Sequence, residues 1–210
     1  MREINNLSQI HLPPPNRKGS ISLEEAIAQR RSIRDFTPEP ISQSQLSQIL
    51  WATQGITDTS SRLRAVPSAG ATYPLEIFVV CGRNSIEQIS EGIYHYDIAH
   101  HSLTLHHQGD VRLDLARAAL DEEMIYHAPV DIIICALYER TTRHYGSRGE
   151  RYVHIEVGHA GQNIYLQATA LGLATVAIGA FYDEQVREVL RLGKQYKPLY
   201  IMPVGKPARN

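Results

Sequence analysis

Three arginines and a serine crowd into five residues at Arg30-Arg31-Ser32-Ile33-Arg34. Guanidinium forks and a hydroxyl at that density suit a phosphate dianion by charge and by geometry. The same cations at the end of a helix would also complement its dipole with no ligand present. A second group is the run PSAGATYPLE, with Pro67, Ser68, Ala69 and Gly70 at its head. Small residues there let backbone groups approach a planar ligand, and the bracketing prolines stiffen the chain; a tight surface turn would use the same residues. Ile178, Gly179 and Ala180 form a third group, in which a strand end with small residues either exposes N–H groups to a cofactor edge or only packs. The fourth is Gly205-Lys206-Pro207, where a lysine could complete a phosphate site or simply end the chain in a solvated charge.

Other chemistries find less support. Neither GxGxxG nor GxxxxGK[ST] occurs, so Rossmann and P-loop phosphate binding are not indicated. Five histidines (His95, His100, His101, His106 and His107) fall on strand positions that point to different faces, with no zinc-type ligand spacing nearby, so no metal site is expected. His154 and His159 are five residues apart and do not share a helix face. A GxSxG elbow is absent, which argues against Ser-His-Asp hydrolysis.

The elements that must position these groups follow from pattern. Residues 1–20 are polar and proline-rich and read as a tail with no helix or strand of its own, leaving one domain over 21–210. Ser22 with Glu25, and Ser42 with Gln45, fit capping boxes. They open helices from Leu23 to about Arg31 and from Ser42 to a stop at Gly55. A long small-residue loop spans Thr57 to Pro74, a length that favours function over filler. Strands are expected at Glu76–Cys81, in a hairpin of GIYHYD and SLTLHH, at Val130–Leu137, in ATVAIGAF and in LYIMPVG. Helices are expected at Val111–Leu120, at Gly149–Leu171 and at Asp183–Leu192. The Gly149–Leu171 helix is apolar nearly all round in its second half, which places it in the centre of the fold. Buried strands interleaved with helices predict an α+β sandwich, a mixed sheet between helical layers.

Composition sets the outer limits. The chain has 210 residues, 43% hydrophobic and 20% charged, which is ordinary for a globular domain with a large core. Lys plus Arg is 21 and Asp plus Glu is 22, so no net positive field exists to hold a nucleic acid. No apolar run is long enough for a membrane span, and MREINN has no signal-peptide character. Two cysteines, Cys81 and Cys135, show no pairing pattern, so a cytoplasmic protein in a reducing environment is expected.

Taken in order, RRSIRDF, PSAGATYPLEIFVV, GIYHYD, GHAGQNIYLQATALGLAT with VAIGAF, and PVGKP resemble the nitroreductase superfamily from about Ser22 to Pro207. Within it, PSAGATYPLE and GIYHYD are most similar to the SagB/thiazole-oxidase-type dehydrogenase branch. The resemblance implies an α+β three-layer sandwich, with a mostly antiparallel mixed sheet and helices on both faces. It also implies an FMN oxidoreductase, built as an intertwined homodimer with shared active sites. Hydride would pass from NAD(P)H through flavin N5 to a nitroaromatic or quinone-type acceptor by a ping-pong mechanism. By position, Arg30, Arg31, Ser32 and Arg34 match the segment that holds FMN phosphate and ribityl oxygens. Pro67, Ser68, Ala69 and Gly70 match the loop that packs on the isoalloxazine, contributed by the other subunit. Ile178, Gly179 and Ala180 match the strand end beside N5 and O4, and Gly205 and Lys206 the stretch that returns to the phosphate. Gln162 matches a position often polar in the family, with a satisfied core amide as the other role open to it. Tyr73, Tyr145 and Phe181 are candidates for an aromatic wall. The branch also contains azoline dehydrogenases of peptide modification, but its Lys-Tyr proton-transfer pair has no assigned counterpart here. A flavin-binding protein without turnover is the third reading.

Overall fold

Ser22 starts the first helix because its hydroxyl accepts the Glu25 amide at 3.1 Å, while the Glu25 carboxylate accepts the Ser22 amide at 2.8 Å. Ser42 and Gln45 repeat the arrangement at 3.1 and 2.9 Å. Both boxes stand where their sequence pattern puts them in the computed structural model, which describes residues 9–208. Ser42→Ala is expected to lower the unfolding free energy by about 1 kcal/mol, measured as a shifted urea midpoint with an unchanged slope.

The elements run β1 (Gln9–His11), α1 (Leu23–Gln29), α2 (Gln43–Gln54), β2 (Ile56–Asp58), β3 (Leu63–Arg64), β4 (Leu75–Cys81), β5 (Gly92–Asp97) and β6 (Ser102–Gln108). They continue as α3 (Arg112–Ala118), α4 (Glu123–His127), β7 (Val130–Ala136), α5 (Glu139–Tyr145), α6 (Arg148–Ala170), β8 (Ala174–Thr175), α7 (Asp183–Val189) and β9 (Lys197–Gly205). Seven strands form one sheet in the order β1-β6-β5-β4-β7-β9-β8, and every pairing in it is antiparallel.

β4 and β7 are continuous apolar runs because both sheet faces are covered. Ile77, Val79, Ile132 and Ile134 meet Leu46, Ile49, Leu50, Val153, Val157 and Ile164 of α2 and α6. Phe78, Val80, Ile133 and Cys135 meet Leu115, Ile125, Val186 and Leu190 of α3, α4 and α7. This is the expected α+β three-layer sandwich. Cys81 and Cys135 are free and buried on opposite sides of it, and burial pushes both thiols up. Among the described residues, no helix is long and apolar enough to cross a membrane.

Four expectations need correction. The first 20 residues contain β1, which pairs with β6, and Leu12 beyond it is buried against the core. Three strand residues are too few to show a period, so pattern missed them. Residues 1–8 of the expected tail lie outside the described residues. The Thr57–Pro74 stretch is not all loop: β2 and β3 pair there, and Ala69–Ala71 forms a 3-10 turn. α6 is not enclosed at the centre; it lays one stripe (Val153, Val157, Ala160, Ile164, Ala168) on the sheet and leaves Ile155, His159 and Gln162 exposed. α4 and α5, with no side-chain caps, carried no start signal.

Candidate functional site

Three of the four groups meet at one corner of the sheet. The Ile33 amide donates to the Thr175 carbonyl at 3.0 Å, and the Thr37 amide donates to the Lys206 carbonyl at 2.9 Å. Phe36 and Pro207 form a further bridge, and Gly205 pairs with Ala174. The arginine segment therefore lies along the ends of β8 and β9. A side chain on Gly205 would meet Pro129 Cδ at 2.6 Å and Phe36 at 3.1 Å, so glycine is what lets the segment close on β9. Ile178 exchanges both backbone hydrogen bonds with Ile201, after which Gly179 and Ala180 emerge exposed.

Tyr165 of α6 ties these pieces together, and no sequence pattern singled it out. Its hydroxyl shares a hydrogen bond with Ser32 Oγ at 2.9 Å and accepts the Ala177 amide at 2.8 Å. The Arg30 guanidinium sits 5.0 Å from its ring centroid. A tyrosine in an apolar helix reads as core; only its polar tip sets it apart.

The cations at the corner divide by task. Arg31 donates from Nη1 to the Ala28 and Arg30 carbonyls at 2.9 and 2.8 Å, closing the end of α1. That is the dipole-complementing role, without a ligand. Lys206 Nζ donates to Glu39 at 2.5 Å on the surface. Arg34 is exposed and takes part in no ion pair among the described residues. In the same corner the Thr37 and Thr175 hydroxyls are buried without a partner. Gln162 is exposed on α6 and is not a core amide.

The fourth group lies elsewhere in the same chain. The loop Pro67–Pro74 packs at the N-terminal half of α6, with Glu156 beneath it and Tyr145 above Gly70. Glu156 and Tyr165 are nine residues apart, about 13 Å along the helix. Gly70, Ala71 and Tyr73 have φ of 59°, 51° and 46°, a left-handed backbone that only glycine adopts freely. A side chain on Gly70 would stand 2.6 Å from the Tyr145 hydroxyl.

Polar bonds hold the turn. Ser68 Oγ accepts the Tyr73 amide at 2.9 Å, Thr72 bonds Thr141 at 2.8 Å, and Arg140 donates to the Tyr73 carbonyl at 2.9 Å. Arg140 also pairs with Glu76 at 2.5 Å, and Glu76 with His95 at 2.6 Å. Burial pushes the Glu76 carboxyl up, but the His95 hydrogen bond and the Arg140 charge outweigh it and leave it below the carboxylate range. Arg64 lies 4.3 Å from the Tyr73 ring centroid. Tyr73 and Tyr145 thus flank the loop. Phe181 does not: it packs against the α3, α4 and α7 layer.

Three of the other hairpin histidines have hydrogen-bond partners. His100 pairs with Asp97, His101 bonds Ser47 and Tyr96, and His106 bonds the Arg191 carbonyl. Among the described residues no three metal-ligating side chains gather.

The family model described as Nitroreductase family matches residues 27–206, from inside α1 to the lysine of the corner. The chain belongs to the nitroreductase family. A Methanocaldococcus jannaschii protein carrying a nitroreductase name is 50% identical over 186 residues, 89% of this chain and 91% of that protein. A crystal structure carrying the same kind of name, from Ralstonia eutropha, superposes with a TM-score of 0.85 at 26% identity, covering 96% of this chain and 90% of the other. The microcin B17-processing protein McbC of Escherichia coli is 27% identical over 70% of this chain, which spans 56% of McbC. Nitroreductases are oxidoreductases that generally use a flavin. The matched region contains the arginine segment, the Pro67–Pro74 loop, Tyr165, Ile178–Ala180 and Gly205–Lys206.

Proposed function

We propose that this nitroreductase binds FMN with its phosphate at the arginine corner and oxidises NAD(P)H. FMN, when bound, supplies hydride transfer between the nicotinamide and an electron-poor acceptor of nitroaromatic or quinone type, by a ping-pong sequence. The observation that carries this reading is that the backbone of the Arg30–Arg34 segment is bonded along the ends of β8 and β9, through Ile33 to Thr175 and Thr37 to Lys206, with Ser32 held by Tyr165. A phosphate takes guanidinium, hydroxyl and ammonium donors of these kinds.

In this reading Arg34, free of ion pairs, gives the charge, and Arg31 keeps α1 closed behind it. Tyr165 holds Ser32 and the Ala177 backbone in register, so that Ile178, Gly179 and Ala180 present a flat edge. The Pro67–Gly70 loop lies elsewhere, at the N-terminal half of α6, and by the family resemblance the loop that covers the same flavin would come from a second copy. Exposed Leu23 and Ile27 on α1 and Ile155 on α6 offer apolar contact area for such a homodimer.

Three measurements test it. The chromophore released from purified protein should be FMN. Anaerobic NADH or NADPH should bleach its long-wavelength band, and gel filtration should give a dimer. A different chromophore, or a monomer that retains the flavin fully, would overturn the assignment. The similarity to McbC supports a second reading, azoline oxidation on a modified peptide. That reading gains if the flavin is FMN but neither nicotinamide bleaches it.

A further inference from the structure

Beneath the Pro67–Pro74 loop lies a polar cluster that the proposed reaction leaves without a task. Glu156 of α6 is 3% exposed and its Oε1 has no hydrogen-bond partner. Gln54 of α2 is fully buried, and its Nε2 is likewise unpartnered. Ser68 and Gln54 approach the Glu156 carboxyl closely enough to favour its charged form, as does the guanidinium of Arg64 from β3, but burial outweighs all three and pushes it up to about 7. Arg64 in turn faces Glu76, Tyr73 and Arg140, so it is the charged group shared between Glu156 and the rest of the loop's supports. On α6 itself, Tyr152 and His159 lie one turn away, with His159 exposed; Tyr145 of α5 packs edge-on to Tyr152 at 5.0 Å.

The donors and acceptors in this cluster leave one free choice. The Gln54 carbonyl is committed, since Arg64 Nη1 donates to it at 3.0 Å, so only its NH2 group is left to serve the carboxyl. Arg64 only donates. Ser68 Oγ already accepts the Tyr73 amide, which leaves it one O–H and one lone pair. An ionised Glu156 only accepts, and it draws the Ser68 O–H inward. A protonated Glu156 must donate, and the Ser68 lone pair is the acceptor left to it. The Ser68 O–H is then released toward the half-exposed outer side of the loop.

We propose that Glu156 is a positioning residue whose proton sets the direction of the Ser68 hydroxyl, inward when Glu156 is ionised and outward when it is protonated. The consequence for the site rests on the reading above, in which the outer side of this loop meets the flavin ring of the partner subunit. Below neutrality the loop then offers that ring an additional donor, and above neutrality it does not.

The decisive test uses the full-length protein without cofactor. In wild type the Tyr73 amide resonance, whose hydrogen bond ends on Ser68 Oγ, should shift with pH around a midpoint near 7. It should follow the 13C resonance of the Glu156 carboxyl. The shift should vanish in Glu156→Gln, which keeps size and polarity but cannot titrate. In Ser68→Ala the Glu156 carboxyl should still titrate while the Tyr73 amide no longer follows. A Tyr73 resonance that is flat in wild type, or that still titrates in either variant, overturns the proposal. In the loaded dimer, FMN should dissociate several-fold more readily at pH 8 than at pH 6, and that ratio should fall to one in Glu156→Gln. A ratio unchanged in Glu156→Gln counts against the proposal as well. Failure to bind FMN at all would strike the proposed function alone, because the cofactor-free titration decides the hydroxyl's direction by itself.

Discussion

Arg34→Glu should cost the protein its flavin while leaving the fold intact. The Arg34 side chain is exposed and outside every ion pair among the described residues, so reversing it breaks none of them. Placed against a phosphate, it would replace a charge-assisted bond with a like-charge contact. Losses of that kind run to about 2–5 kcal/mol, which is roughly thirty-fold to several thousand-fold in the dissociation constant. Fluorescence titration of the cofactor-free variant with FMN measures the loss, and its melting temperature should match wild type. Arg31→Glu should separate from it. Its guanidinium already serves the Ala28 and Arg30 carbonyls, so its removal frays α1 and weakens FMN less. Arg34→Glu protein that retains wild-type affinity would move the phosphate away from this corner.

That contrast between two arginines three residues apart shows where sequence ceases to be informative. RRSIR has the composition of an anion site, but which guanidinium turns back onto the helix end depends on the turn after Gln29. The long periodic elements were legible because their patterns are long. β4 and β7 read as buried strands, α6 as the longest helix, and the two serine caps as helix starts. The corner itself was legible only in part, since spacing names Arg30, Ser32, Gly179 and Lys206 without saying that their segments are bonded to the ends of β8 and β9. Tyr165 joins Ser32 to the Ala177 backbone through one hydroxyl, a feature that leaves no trace in periodicity. Phe181 was placed with Tyr73 and Tyr145 because all three are aromatic near small residues. The bridge between Ile178 and Ile201 instead carries the chain to the opposite face of the sheet before Phe181. The Glu156 cluster escaped for a related reason: one carboxylate on a helix reads as solvated surface, and its burial is set by β3 and α2, both distant in sequence.

The largest effect on stability is expected at Asp131→Asn, on β7 behind the arginine corner, where it pairs with Pro203 two residues before Gly205. Asp131 lies near the start of β7, fully buried, and neither carboxyl oxygen has a hydrogen-bond partner among the described residues. Burial pushes its carboxyl well above the ordinary value; the Arg112 charge pulls the other way and the Asp110 charge adds to the rise. Arg112 is mostly engaged elsewhere, by Asp110 at 2.7 Å and the Ala128 carbonyl at 2.6 Å, which is why it does not rescue Asp131. The sign follows from linkage. A carboxyl whose folded pKa lies above its unfolded one binds more protons in the native state, so its favourable contribution is complete in acid. That contribution is lost as pH rises from about 4, the unfolded value, through the folded one. Asparagine keeps the shape and removes the titration. Asp131→Asn should therefore be more stable than wild type at pH 8, by about 1.4 kcal/mol for each pH unit over which wild-type stability is lost below pH 8. The two proteins should converge as pH falls toward 4. Urea unfolding of both proteins at intervals between those limits gives the difference directly. A variant less stable than wild type at pH 8 would mean that Asp131 is ionised in the native sheet, with Arg112 as its counter-charge. The free energy lost on titration would then belong to that pair.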